Sequence, residues 1–358
     1  MSELEVGASL DEVLINQENF IEYGVQRGFG DIHIKMCPKT GMHAIVAIYS
    51  TELGPALGGC RFIEYSSPFA ALYDAMRLAR GMSHKAAVVG LPLGGGKGVI
   101  VKPKNDFDRK AYFEAFGKFV DDLGGRYITA VDSGTTLDDM DVIHTQTDYI
   151  ASLSKDNAEP SSYTSDGVLK GLQAAVKHKL GKDSVEGLHV AIQGVGKVGF
   201  GLAKHLHQLG AKLTVSDINQ EACHQAEAEF GASVVDNNHI HKIECDVFSP
   251  CALGGVINDN TINELRTSII AGAANNQLAR SYHGHVLHEK GILYAPDYVI
   301  NAGGLIFASS FYFKNESSIV ENQISNIYES MLTIFDRSAS ENVPCSVIAD
   351  TIAEERLQ

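Results

Sequence analysis

Lys85 and Lys97 stand twelve residues apart in GMSHKAAVVGLPLGGGKGVI, a stretch with six glycines and no acidic residue. A cation without a local carboxylate is free to pair with an anionic ligand. A second lysine can serve as a base only if it is partly neutral, and apolar burial beside another cation lowers a lysine pKa. Two surface lysines on a flexible loop remain the alternative at this point. A second chemistry is carried by Gly194, Gly196 and Gly199 in GVGKVG, with Asp217 23 positions after Gly194. Glycines there permit a tight turn and a close approach of backbone to a pyrophosphate. A following helix N-terminus adds N–H groups, and an acidic residue ending the next strand accepts hydrogen bonds from a ribose.

These residues need elements to hold them. DIHIKM (31–36) and HAIVAIYS (43–50), joined by CPKTG, predict a β-hairpin. SSPFAALYDAMRLARGM places Leu72, Ala75, Ala79 and Met82 at helical spacing after Ser67 and Pro68. KGVIVKP and YITAVD predict strands, and between them Phe113, Phe116, Phe119, Val120 and Leu123 share a helical face. From about residue 165 the pattern changes to helix, strand, glycine turn, helix and strand, which implies a parallel doubly wound sheet. Leu188 to Gln193 is the apolar strand before the glycine turn. The tail from about 316 predicts helices.

A chain of 358 residues, 44% hydrophobic and 20% charged, is long enough for two cores. Its net charge of -15 gives no general attraction for nucleic acid or an anionic membrane surface. No apolar run approaches the length of a membrane span. The acidic N-terminus, MSELEVGASLDEVLINQENF, has no basic n-region or apolar h-region and reads as no signal peptide. Six cysteines without a CxxC pair suit free thiols in a cytoplasmic protein. His283, His285 and His288 have no Cys or carboxylate at ligand spacing, so they read as a solvated turn and no metal is expected.

GPALGGCRF, GMSHKAAVVGLPLGGGK, TAVDSGTTLDDMD, GVGKVG with SDIN, CALGGVINDNTI, AGAANNQLA and YAPDYVINAGG occur in that order. With them the chain strongly resembles the NAD-dependent Glu/Leu/Phe/Val amino-acid dehydrogenases, and most of all the leucine-oxidising branch. The resemblance runs from about residue 40 to the C-terminus. It implies an α/β fold of two domains around a deep cleft. An N-terminal domain with a mixed sheet (1–150) would bind substrate and build a homo-oligomer. A Rossmann-type domain (151–329) would bind NAD, and the C-terminal helices (about 330–358) would return to the first domain.

The resemblance also assigns roles. Lys85 would bind the substrate carboxylate, with Gly58, Gly59 and Met82 in the same site. Lys97 would be the catalytic base acting through water, and Asp132 would exchange protons with the amino group. Asn276 would help hold the carboxylate and border the cofactor, and Thr164 would contact the nicotinamide amide. Gly194, Val195, Gly196, Lys197, Val198 and Gly199 would hold the pyrophosphate. Asp217 would bind the adenosine ribose and repel a 2′-phosphate, which favours NAD over NADP.

The implied reaction is reversible oxidative deamination of an amino acid to its 2-oxo acid, ammonia and NADH. In the glutamate enzymes a lysine and a serine bind the distal carboxylate. Here Leu57 and Ala308 match those positions, so a glutamate side chain would be buried unpaired and an apolar substrate is expected. By the resemblance Ala130 is the leucine-type choice, Leu305 points the other way because leucine enzymes usually carry Val there, and the small Ala308 opens some room. A branched-chain amino acid (leucine, also valine and isoleucine) is therefore expected, with phenylalanine as the alternative. An NAD-binding regulatory protein would be expected to lack Lys85, Lys97 or Asp132. A 2-hydroxy-acid dehydrogenase would need a His/carboxylate pair in place of the lysines.

Overall fold

The computed structural model describes residues 19–156 and 160–358. The N-terminal segment read as no signal peptide lies mostly outside them. The chain divides into two compact α/β units.

The first unit holds residues 19–156, 308–316 and 352–358. It opens with helix α1 (Phe20–Gln26), strand β1 (Asp31–Cys37) and strand β2 (Met42–Ser50), then β3 (Ala56–Ile63), α2 (Pro68–Val88), β4 (Gly94–Val101), α3 (Arg109–Asp122), β5 (Tyr127–Val131) and α4 (Leu137–His144). Its five-stranded sheet runs β1-β2-β4-β3-β5. The hairpin β1–β2 and the β2–β4 pair are antiparallel, while β4–β3 and β3–β5 are parallel. This is the mixed sheet expected. Phe113 and Phe116 of α3 are fully buried among Phe62, Tyr112 and Tyr127. Each such side chain contributes about 1.5–3 kcal/mol by leaving water.

Two elements depart from the sequence reading. Strand β3 is invisible to periodicity, because Gly58 and Gly59 weaken its propensity; ladders on both sides hold it in place. Helix α2 runs beyond Met82 to Val88, since Ala86, Ala87 and Val88 are all buried and no breaker intervenes before Gly90. Ser67 caps its start by accepting the Ala70 N–H at 3.1 Å. Lys85 therefore sits on the last helical turn rather than in a glycine loop.

The second unit holds residues 160–307 and 317–351. From residue 160 the order is α5 (Pro160–Leu180), β6 (His189–Gln193), α6 (Lys197–Gln208), β7 (Lys212–Ser216), α7 (Gln220–Phe230), β8 (Ser233–Val234), β9 (Val247–Pro250), β10 (Ile269–Ile270), α8 (Tyr282–Glu289), β11 (Leu293–Tyr294), α9 (Asp297–Ile300), α10 (Gly303–Phe313), α11 (Ser317–Glu341) and α12 (Cys345–Leu357), with the later part of α10 and the last residues of α12 counted in the first unit. All its strand pairs are parallel, in the order β11-β10-β9-β6-β7-β8. From β6 the chain winds outward through β7 and β8, then returns to build β9, β10 and β11 on the other side. That reversal at β6 is the switch point where doubly wound sheets bind ligands.

The expected return of residues 330–358 to the first domain is narrower in the structure. Residues 317–351 stay with the second unit, and only 308–316 and 352–358 join the first. The cause is α11, which buries Val320, Ile324, Ile327, Met331 and Phe335 within its own unit. Ile327 Cδ1 lies 2.9 Å from where a side chain on Gly167 of α5 would begin. The histidine turn is also different: His283 is wholly buried on α8 and pairs with Asp259 at 3.1 Å. The glycine junction NAGGLIFASSF enters helix α10 at Gly303.

Candidate active site

Lys97 projects from β4 and is 6% exposed. Its ammonium pairs with Oδ2 of Asp132, which follows the last residue of β5. The sequence stretch around Lys97 has no acid, but the strand order β4-β3-β5 supplies one from a distant segment. The expectation of an unneutralised lysine pair is corrected on that point. The Asp132 N–H donates to Thr135 Oγ1 at 2.9 Å, and the Thr135 hydroxyl donates back to the Asp132 carbonyl at 2.8 Å. Burial pushes the Asp132 carboxyl upward. The Lys97 ammonium, the Ser133 N–H and Arg61 outweigh it and hold the group below the usual carboxylate range.

The run of glycines in β4 has a packing cause. A Cβ on Gly95 would fall 2.0 Å from the Ser83 backbone nitrogen. Only a bare glycine lets α2 lie directly on the strand. The helix end carrying Met82, Ser83 and Lys85 is thus laid against the strand carrying Lys97. Met82 and Lys85 are half-buried. Gly58 and Gly59 lie on β3, between β4 and β5, and a side chain on Gly59 would meet the Asp132 Cβ at 2.8 Å. Leu57 is almost wholly buried between Gly95 and Ile128, its register partners, and Ala130 is buried beside Gly59. Leu305 and Ala308 share helix α10.

Arg61 and Asp74 are residues that the spacing argument missed. Arg61 Nε lies 3.5 Å from Asp132 Oδ2, and its Nη1 donates to Asp74 Oδ2 at 2.8 Å. Tyr65 and Arg77 also donate to Asp74, at 2.8 and 3.0 Å. Asp132 therefore stands between two cations, and Arg61 is anchored from behind. The arginine of GGCRF was the only signal available.

In the second unit, β6 ends at Gln193 and α6 starts at Lys197. Gly194 has φ +96°, which a side chain would strain, and its Cβ would meet Ala252 at 2.7 Å. Gly196, the N-cap of α6, faces open space. Lys197 and Val198 form the first helical turn, and Gly199 packs on the Gly194 carbonyl. Asp217 follows β7; its Oδ2 accepts the Val195 N–H at 2.8 Å and its Oδ1 accepts the Asn219 N–H at 2.9 Å. The acid that was expected to bind ribose also ties the turn together. Open backbone at Gly196, a helix N-terminus and a carboxylate at the next strand end fit a dinucleotide.

Asn276 has a left-handed backbone, φ +54°. Its carbonyl accepts the Gly255 N–H at 2.7 Å. The loop is braced by Asp297, which accepts the Gln277 N–H at 2.7 Å, and by Asn301, which donates to Ala273 O and Asn275 Oδ1. The buried Asn301 Oδ1 has no hydrogen-bond partner among the described residues. Neither brace was recognised from sequence. Thr164 lies on α5; its hydroxyl donates to Pro160 O and abuts Gly304.

A parallel sheet with a glycine turn at its switch point, joined in one chain to a unit holding a buried lysine paired with an aspartate, defines an α/β oxidoreductase that works with a nicotinamide cofactor. The chain belongs to the Glu/Leu/Phe/Val dehydrogenase family. Residues 30–149 match the family's dimerisation domain, and 159–347 match its Glutamate/Leucine/Phenylalanine/Valine dehydrogenase domain. It is 50% identical to leucine dehydrogenase of Geobacillus stearothermophilus, over 89% of this chain and 88% of that one. It is 41% identical to phenylalanine dehydrogenase of Thermoactinomyces intermedius, over 92% of each. The crystal structure of L-tryptophan dehydrogenase from Nostoc punctiforme superposes with a TM-score of 0.87 at 40% identity, covering 94% of this chain and 98% of that one. The protein is an amino-acid dehydrogenase.

Proposed function

We propose that the protein catalyses reversible, NAD-dependent oxidative deamination of branched-chain L-amino acids, leucine first and valine and isoleucine with it. The observation that carries the reading is the pairing of buried Lys97 with half-buried Asp132, beside the α2 turn that bears Lys85. Lys85 pairs with the substrate carboxylate. A nicotinamide cofactor, held through its pyrophosphate at the Gly194–Gly199 turn, would supply the hydride acceptor for oxidation at the substrate Cα. In its neutral amine form, Lys97 orients and deprotonates the water that attacks the resulting imine. Asp132 moves protons to and from the departing nitrogen. Arg61 keeps Asp132 ionised and aimed at Lys97.

NAD is favoured because Asp217 places a carboxylate at the end of β7, and a 2′-phosphate there would be repelled. An apolar substrate is favoured by Leu57 and Ala308, which offer a distal carboxylate no partner. An oligomer is supported by the family's dimerisation domain and by edge strand β1, which leaves Ile34 and Met36 exposed. Among the described residues no helix is long and apolar enough to cross a membrane. A cytoplasmic location agrees with the free cysteines.

The test is a panel of leucine, valine, isoleucine, phenylalanine, tryptophan and glutamate, each with NAD and with NADP. The expected order of kcat/KM puts the branched-chain substrates with NAD first. A clear preference for phenylalanine would transfer the assignment to the aromatic branch, and a preference for glutamate would overturn the pocket argument.

A further inference from the structure

We propose that the C-terminal turn of α12 is part of the substrate site: Glu354 and Arg356 are positioning residues that hold the last turn of α2, and through it Lys85. The inference rests on the reading of Lys85 as the partner of the substrate carboxylate.

Helix α2 ends at Val88, and the final carbonyls of a helix lack partners within it. Arg356 Nη1 donates to the carbonyls of both Ala87 and Val88, each at 2.7 Å. A cation at this end is also favoured by the helix dipole. One turn earlier, His84 Nε2 lies 2.7 Å from Glu354 Oε1. The Tyr49 hydroxyl donates to the two Glu354 oxygens at 3.0 and 3.3 Å, and Arg80 Nη2 reaches it at 3.5 Å. His84 and Tyr49 are buried, so Glu354 answers polar groups that would otherwise be costly to bury. The His84 hydrogen bond holds the Glu354 carboxyl below its ordinary range against the upward push of burial.

The clamp brackets the functional residue. Lys85 follows His84 directly and precedes the two carbonyls that Arg356 caps. On the other side, the backbone of Ser83 is seated on Gly95 of β4. The turn is therefore fixed between the strand that carries Lys97 and the C-terminal turn of the chain. Helix ends fray when their terminal groups lose partners. Without the clamp Lys85 would still be present, but its ammonium would no longer be pre-set for a carboxylate.

The experiment uses the full chain with Arg356→Ala, Glu354→Gln, Arg356→Lys and Lys85→Ala, plus the Lys85→Ala/Arg356→Ala double variant. Steady-state kinetics are measured with leucine and NAD, and thermal unfolding is recorded for each. Arg356→Ala and Glu354→Gln should each raise KM for the amino acid about tenfold, with kcat and KM for NAD within about twofold of the parent. Arg356→Lys should recover most of the loss. In the Lys85→Ala background, Arg356→Ala should add nothing further to KM, because the clamp acts through the missing ammonium. Multiplicative effects of the two substitutions would overturn the proposal. So would an unchanged amino-acid KM in Arg356→Ala and Glu354→Gln while Lys85→Ala raises it, and the reading of Lys85 would then stand. An unchanged KM in Lys85→Ala would remove both. Glu354→Gln leaves the carbonyl cap intact and decides the matter if Arg356→Ala fails to fold.

Discussion

Asp132 holds its carboxylate on the Lys97 ammonium across the width of β3, the strand between their two elements. If the pair does the chemistry and Lys85 does the binding, the substitutions should separate. Lys97→Ala and Asp132→Asn should each lower kcat by about 10²–10⁴-fold, the usual worth of a general acid or base. Binding of NAD should survive in both. Lys85→Ala should act chiefly on KM for the amino acid. Steady-state kinetics and a cofactor titration check this. Equal effects of Lys85→Ala and Lys97→Ala on kcat and KM would refute the division.

Acid stability follows from three carboxylates. Burial pushes Asp74, Asp132 and Asp139 upward. Tyr65 and Arg61 at the first, Lys97 at the second, and Arg109 with Thr136 at the third reverse that shift and leave each below its ordinary value. A depressed carboxyl stabilises the fold above its unfolded pKa and loses that contribution as pH falls through its folded value. The melting temperature should change little on account of these groups near neutrality and fall once the pH drops below about 4. Asp139 takes Arg109 through both its oxygens, at 2.8 and 2.7 Å. Asp139→Asn should cost about 1–3 kcal/mol at neutral pH, toward the lower end because Arg109 is partly exposed, and should make the acid decline shallower because one depressed carboxyl is gone. Denaturant midpoints across pH measure both quantities.

Gly95→Ala inserts a methyl where the Ser83 backbone already lies. The helix must lift from the strand, at a cost of about 1–3 kcal/mol. Amino-acid KM should rise with it, because Met82 and Lys85 ride on that helix. A variant with parental stability and KM would show that the close contact of α2 and β4 is not needed.

Asp217→Ala removes a ribose acceptor, the charge opposing a 2′-phosphate, and the bonds to the Val195 and Asn219 N–H groups. KM for NAD should rise about tenfold and the preference for NAD over NADP should narrow. Unchanged KM and unchanged discrimination would remove the cofactor assignment.

The amino-acid sequence by itself determined the local pieces whose cause is local. Alternation predicts the β1–β2 hairpin, helical spacing predicts the Phe113–Phe116–Val120 face, and the string from Leu188 to Asp217 predicts strand, turn, helix and acid, because each depends on neighbours a few residues away. The tertiary structure decided what brings distant segments together. Strand order places Asp132 on Lys97, and no periodicity encodes which strands lie beside β3. Helix α2 continues to Val88 because Gly95 admits its backbone, a contact between residues that spacing alone does not pair. The return of the chain end is limited to its last residues, since the apolar face of α11 is buried within the second unit. Arg356 then reaches the Ala87 and Val88 carbonyls at the end of α2, and Glu354 reaches the buried His84, whose imidazole would be costly to bury without a partner.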